Sequence, residues 1–512
     1  MTRWAEPPMD RTQTMMFYPT LEDMIDEDHP ARLFDEILAG CDWSSWEAHY
    51  EVKVGQPAIR PRIIASALLY GMSHGIRSSR RLEWACSNAL DFVWLVHGRQ
   101  IDHATFCGFR KRFRKELKGL FRDVAQLAMR MGLIRLNQVA LDGTKVKANS
   151  SRDATATAKT VEERLQALEA DMERMFAQAE ETDAREEDLF GESVSATRLP
   201  RELSSRLERK EKLEKALAST RGRADAKVPV ADPDSTIQPN KEGGFAPNYT
   251  PMVAVDAHRG FIVSADVLAD GDEGSATVPM VDAVTEDLDE QPAQLLADAA
   301  HGSGTNLSQL EERGVEAYIP LEQREDRPEN PAHRADPTQP VAESAWPKLP
   351  RNSRTKKLDR SAFIYDATSD RYYCPMGRAL EFRRVQDKHR NGGGLYRQYE
   401  CASCTGCPLS GECIAGKKGK PRTVSRDEHE PLREAMDAPM ASESGRAIYG
   451  RRLWAAETPY AVIKGMMKLR QFLLRGLEKV KTEWLWAVTS FNVWKLVREV
   501  ARLRARFAAL RA

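Results

Sequence analysis

The chain has 512 residues, 41% apolar and 30% charged, with 76 Lys and Arg balanced by 76 Asp and Glu. That length exceeds what one simple core organises, so two or three domains are expected, and the composition suits a soluble folded protein. No apolar run approaches the roughly eighteen residues of a membrane span, so no membrane-spanning helix is expected. The N-terminal stretch Met1-Thr-Arg-Trp-Ala-Glu-Pro-Pro lacks the charged-then-apolar pattern of a signal peptide, so a cytoplasmic location is expected. The zero net charge hides segregation. Residues 59–122 carry 13 Lys/Arg against 4 Asp/Glu and residues 445–512 carry 15 against 4, whereas residues 161–200 carry 4 against 12. Two basic segments and one acidic segment suggest a polyanionic partner.

In chain order, residues 1–135 read as a helical unit. A first helix is expected over residues 30–39, two more over residues 59–100, and a long one over residues 105–131 that carries Arg110, Lys111, Arg112, Arg114 and Lys115. Such a module is a candidate DNA-binding element, although it could equally be a packing domain. Residues 136–157 hold a short apolar run, Val139-Ala140-Leu141, that ends in Asp142 and Gly143; a buried strand delivering a carboxylate to a sheet rim fits this pattern. Residues 158–245 turn helical and charged, with Val161, Leu165, Leu168, Met172 and Met175 at helical spacing. An antiparallel helical hairpin or dimeric coiled coil is expected there, with its turn over residues 183–199.

From residue 246 to 325 the texture changes to strands. Residues 251–256 and 261–267 predict a hairpin, with Asp256 as its cap; a helix over 276–288 follows, and residues 293–298 form a second strand ending in a carboxylate, Asp298. A helix over 306–313 and a strand over 315–319 complete a β-α-β unit. The fold class expected is α+β or α/β, a mixed sheet with helices on its faces. Residues 326–440 read as a Pro-rich linker followed by a Cys-rich insertion, and residues 441–512 as basic helices, the first bearing Glu457. Trp484, Trp486, Phe491 and Trp494 near the end fit helical core packing better than base stacking.

Asp142, Asp298 and Glu457 are three carboxylates from distant parts of one sheet domain. Such a set suits two-magnesium phosphoryl transfer, in which hard oxygen ligands hold ions about 3.5–4 Å apart. Five clustered cysteines, Cys374, Cys401, Cys404, Cys407 and Cys413, have spacing suited to tetrahedral zinc through four of the five.

The motifs at residues 139–144, Asp232-Pro-Asp-Ser235, residues 248–256, Ala297-Asp-Ala-Ala-His-Gly-Ser303, and Glu457-Thr-Pro-Tyr-Ala-Val-Ile-Lys464 continued by Arg475-Gly476 and Asn492, occur in this order. With Gly55-Gln-Pro-Ala-Ile59 and Asp102-His-Ala-Thr-Phe106, they give the chain a resemblance to the DDE transposases of bacterial insertion sequences, in the ribonuclease-H-like superfamily. The resemblance implies a ribonuclease-H-like mixed-sheet catalytic domain, with an N-terminal helical domain, a helical-hairpin insertion and a Cys-rich insertion. It implies Asp142, Asp298 and Glu457 as catalytic ligands of Mg2+ or Mn2+, and Lys464, Arg452 and Tyr449 as DNA-binding residues. It further implies element-end and target DNA as partners and a homo-oligomer on paired ends. Arg452 stands five residues before Glu457 where the family signature has four, and His301 and Ala300 replace the usual Tyr and Gly. Asp232 and Asp234 read as turn formers and His301 as a structural histidine. The function expected is metal-dependent strand cleavage and transfer; a ribonuclease-H-like nuclease and a catalytically decayed DNA-binding copy are the alternatives.

Overall fold

The computed structural model describes residues 20–511 apart from 52–56, 152–154, 191–200, 221–226, 241–242, 321–328, 353–354, 388–394, 403 and 415–420. Part of the motif at 55–59 and of the hairpin turn expected over 183–199 therefore lies outside the described residues. No helix among those described is long and apolar enough to cross a membrane.

Seven helices come first: α1 (Pro30–Ala39), α2 (Ser44–Glu47), α3 (Pro61–Ser73), α4 (Ser79–Asn88), α5 (Leu90–Leu95), α6 (His103–Arg112) and α7 (Arg114–Arg130). Proline at the first position opens α1 and α3, where its missing N–H costs nothing, and Asp102 caps α6 by accepting from the Thr105 N–H. The single helix expected over residues 105–131 is broken at Phe113, whose backbone leaves the helical region at φ −104°, ψ 48°. The break turns the Phe113 ring inward, fully buried, against Trp46 at 5.0 Å and Phe109 at 4.6 Å between centroids. Three of the five basic side chains on this stretch serve packing. Arg110 donates to the Arg77 carbonyl, Arg112 lies over the Tyr50 ring, and Arg114 pairs with Glu478.

The central sheet begins with β1 (Gln138–Gly143) and β2 (Val146–Lys147). After β3 (Thr155–Thr157), helices α8 (Ala158–Phe190) and α9 (Arg201–Ser219) pack together before β4 (Lys227–Pro229) returns to pair with β3. Contacts Lys210–Glu169 and Arg206–Met175 fix the two helices as antiparallel, and Val161, Leu168, Met172, Leu213 and Ala216 form their own small core. Next come β5 (Thr236–Pro239), the long β6 (Phe245–Asp256), β7 (Ile262–Leu268), α10 (Thr277–Leu288), β8 (Gln294–Leu296), α11 (Gly304–Glu312) and β9 (Glu316–Tyr318). The first half of β6 pairs with β5 and β2, and its second half lies between β7 and β1. Across this second half the order is β7-β6-β1-β8-β9. The first two pairings are antiparallel and the last two parallel, so the sheet is mixed, as the strand pattern predicts.

A second, antiparallel sheet takes strands β10 (Ile364–Asp366), β11 (Arg371–Tyr373), β12 (Ala379–Asp387), β13 (Leu395–Cys401) and β14 (Thr423–Asp427) in that order, with the short α12 (Ser410–Cys413) beside it. The preceding Pro-rich stretch, expected as a linker, packs onto this sheet wherever it is described: Ala332, Val341, Leu349 and Leu358 are buried in its core. Arg334 supplies the missing regularity by donating to the carbonyls of Ala332, Pro337, Gln339 and Cys374. Helices α13 (Glu430–Ala441), α14 (Glu443–Gly465) and α15 (Leu477–Arg511) end the chain. Trp484, Trp486 and Phe491 on α15 are buried in the main core, which joins the N-terminal helices to the sheet.

Asp256 is fully buried, and its carboxylate accepts from the backbone N–H groups of Arg135, Leu136 and His258. It therefore caps the hairpin and also pins the chain leading into β1. Asp232 does more than shape a turn. It accepts from the Tyr249 hydroxyl on β6 and from the Gly476 N–H, while Asp234 accepts from the Leu477 N–H, so the two carboxylates fasten the loop ahead of α15 to the sheet.

Candidate active site

Val139, Ala140 and Leu141 are buried on both faces of β1, which fixes the strand and brings Asp142 to its C-terminal end. β8 runs parallel beside it, with Ala140 opposite Leu296. Two residues further along each chain stand Asp142 and Asp298, side by side at the carboxyl ends of adjacent parallel strands, where ligand sites in such sheets form. Asp298 is held by its own turn, accepting from the Ala300 N–H at 3.0 Å.

The third carboxylate is Glu273, which opens a short turn after β7. One oxygen from each of Asp142, Glu273 and Asp298 lies within 4.8 Å of the others. Two glycines permit this approach. A Cβ on Gly143 would come within 2.6 Å of the Glu273 carboxyl and of the Met252 sulfur, and one on Gly274 within 2.7 Å of the Ala300 carbonyl oxygen. Buried His301 fastens the same corner, sharing a 2.8 Å hydrogen bond with Thr277. Asn306 adds bonds to the carbonyls of Gly274 and His301. His301 is thus a structural residue under the site, its imidazole held below the ordinary range by burial.

α14 lies across the rim. Arg452 donates to Asp142 at 2.8 Å and stands 3.4 Å from Asp298, a cation between the two strand carboxylates. Tyr449 bonds to Arg452, and its phenol is pushed upward by burial. Tyr460 donates to the Asp142 carbonyl at 2.6 Å, and Lys464 reaches the Thr144 hydroxyl at 2.6 Å and the Lys145 carbonyl at 3.0 Å. Glu457 is exposed and is not among the three converging carboxylates. The helix explains this: five residues of α-helix turn Glu457 about 140° away from Arg452, onto the face it shares with Lys464. Glu273 was not singled out in the sequence because Asp272-Glu273-Gly274 reads as an ordinary polar turn; the one signal was the glycine behind it.

These oxygens suit a hard divalent cation. Without one they repel. Burial, then the Asp298 and Asp142 charges, raise the Glu273 carboxyl from 4.5 to about 7, against the opposing pull of Lys145 and Arg452. Because the folded value is the higher one, the stabilisation belongs to the protonated form. It is fully present below about pH 4.5 and is lost as pH rises through about 7. Taken at face value this is about 3 kcal/mol, which partial exposure reduces to about 1 kcal/mol. In EDTA, Glu273→Gln is therefore expected to melt above the wild type at pH 8 and with it at pH 4.5. An equal difference at both pH values would rule out the carboxylate repulsion.

Two family models match the chain: "Transposase domain (DUF772)" over residues 19–112 and "Transposase DDE domain" over residues 373–497. The second covers the cysteine sheet from β11 onward, Arg452, Glu457 and Lys464, and leaves Asp142, Glu273 and Asp298 outside. No protein of curated function matches. Among solved structures, the "Mos1 transposase paired-end complex with left transposon end" matches at 8% identity over 52% of this chain and 61% of that one. Its TM-score of 0.15 is too low to bear on the fold. The chain spans about three-fifths of that relative's length. The two matches, in order along one chain, are both to transposase domains, and they support a likeness to the DDE transposases.

Proposed function

We propose that the protein binds the ends of its own element and catalyses metal-dependent cleavage and transfer of DNA strands. The observation that carries this reading is the convergence of Asp142 and Asp298, at the ends of adjacent parallel strands, with Glu273. The order and sense of the strands support a ribonuclease-H-like catalytic domain. Asp142, Glu273 and Asp298 would hold Mg2+ or Mn2+, which supplies Lewis acidity toward phosphate oxygens on both sides of an in-line displacement. The guanidinium of Arg452, already paired with two of the three carboxylates, is the stand-in that supports a cation there. Glu457, exposed on the face of α14 that it shares with Lys464, would approach the carboxylates once DNA covers the rim. Lys464, with exposed Lys147, Lys468, Arg470 and Arg475 nearby, would receive the phosphate backbone, and Tyr449 would hold Arg452 in place. Of the five basic residues between Arg110 and Lys115, exposed Lys111 and Lys115 would remain for DNA contact. Pairing of two ends would require at least two copies of the chain.

The test is incubation of the full-length protein and Mg2+ with labelled DNA carrying the flanks of its own gene. Cleaved and joined products are expected. Cleavage without joining would make the protein a nuclease of the same fold, and binding without cleavage under either metal would reduce it to a DNA-binding copy.

A further inference from the structure

The second sheet has its own core, remote in sequence from the three carboxylates, and one end of it is lined with sulfur. Cys374 lies on the turn after β11, Cys401 ends β13, Cys404 and Cys407 lie on the loop that follows, and Cys413 ends α12. All five line one cavity of about 20 Å³, room for a single small sphere. None is in a disulfide.

Backbone N–H groups point at two of these sulfurs. Cys374 sits in a tight turn closed by the Gly377 N–H on its carbonyl at 2.8 Å and by its own N–H on the Arg378 carbonyl at 3.0 Å. Gly377 holds this turn at φ +72°, and a Cβ there would meet the Thr338 carbonyl. The Cys374 sulfur accepts from the Cys401 thiol and from the N–H groups of Arg378 and Met376. Cys404 starts a second tight turn, closed by the Cys407 N–H on its carbonyl at 3.2 Å with Gly406 at φ +72°, and its sulfur accepts from the Arg422 N–H at 3.4 Å. N–H groups aimed at sulfur stabilise the charged form that binds metal.

We propose that this cavity is a structural zinc site, closed by four thiolates from the five cysteines, Cys374 and Cys404 among them. Zinc takes four sulfurs at about 2.3 Å in tetrahedral array. No three of these sulfurs lie within 4.8 Å of one another as they stand, so closure requires side-chain rotations about the cavity. A cluster serving only as apolar packing would not need backbone donors on its sulfurs, and all five thiols are free. Binding an ion shared between Cys374 and Cys404 would fix the turn after β11 to the loop after β13, which the short β11–β12 pairing alone does weakly.

Metal analysis of the full-length protein, purified without chelator, is expected to give one zinc per chain, released by a thiol-specific mercurial. Cobalt exchanged into the site should show the charge-transfer and visible bands of tetrathiolate coordination. Cys374→Ser and Cys404→Ser should each lose the zinc, while Cys107→Ser, at the exposed cysteine outside the cluster, should keep it. The cobalt spectrum on the wild type needs no variant to fold. Zinc well below one per chain, a cobalt spectrum without sulfur ligation, or full zinc in both cluster variants would overturn the proposal. Zinc that disappears with Asp142→Asn but persists in Cys404→Ser would also overturn it, since the ion would then sit at the carboxylates.

Discussion

Replacing Asp298 with Asn is expected to lower Mg2+-dependent cleavage of end DNA by about a thousandfold or more, and Asp142→Asn to do the same, because each removes a charged oxygen ligand where negative charge is redistributed. The amide is nearly isosteric, and Asp298 is partly exposed, so folding should survive. The other two carboxylates separate in a way that tests the arrangement. Glu273 converges with the strand aspartates in the DNA-free protein, so Glu273→Gln should weaken Mg2+ binding, measured calorimetrically without DNA, by about ten- to a hundredfold. Glu457 is outside that group, so Glu457→Gln should leave DNA-free Mg2+ affinity as it is and lose cleavage. If Glu457→Gln instead abolished Mg2+ binding and Glu273→Gln did nothing, the ligand set would be Asp142, Asp298 and Glu457, with Glu273 only a neighbour. Full cleavage by Asp298→Asn would remove the carboxylate site altogether.

The sequence revealed those parts of the site that rest on strong local patterns. A short run of buried apolar residues ending in Asp has few structural options, and both Asp142 and Asp298 end such runs. Glu273 was not legible, because its position depends on the packing of two irregular turns through Gly274 and Ala300, which leaves no periodic trace. Phe113 misled for a related reason: Phe106, Phe109 and Phe113 fit a helical stripe, but the tertiary demand of the Trp46 cluster overrode propensity at the last of them. The Pro-rich stretch before the cysteine sheet looked unstructured because its order comes from arginine-to-carbonyl bonds rather than from regular elements. Asn492, visible only as part of a motif, acquires its reason from a strand 230 residues away.

That reason gives the largest stability effect expected outside the site. β7 is the last strand on its side of the sheet, and an uncovered edge carries unpaired backbone groups. Asn492, fully buried on α15, covers it. Its side-chain oxygen accepts from the Ile262 N–H at 3.0 Å, and its amide donates to the Ile262 carbonyl at 2.7 Å, the two bonds a further strand would make. Asn492→Ala leaves both Ile262 backbone groups without these partners. Two unmet buried groups at about 1–3 kcal/mol each give an expected loss of about 2–6 kcal/mol. In a chain of this size unfolding is measured best by urea at fixed protein concentration, with Asn492→Asp as the companion. Aspartate can accept from the Ile262 N–H but has no donor for the carbonyl when ionised, so it too should be strongly destabilised although its size is unchanged. A loss below about 1 kcal/mol for Asn492→Ala would mean that water reaches this edge and satisfies it, and that α15 covers the sheet by apolar contact alone.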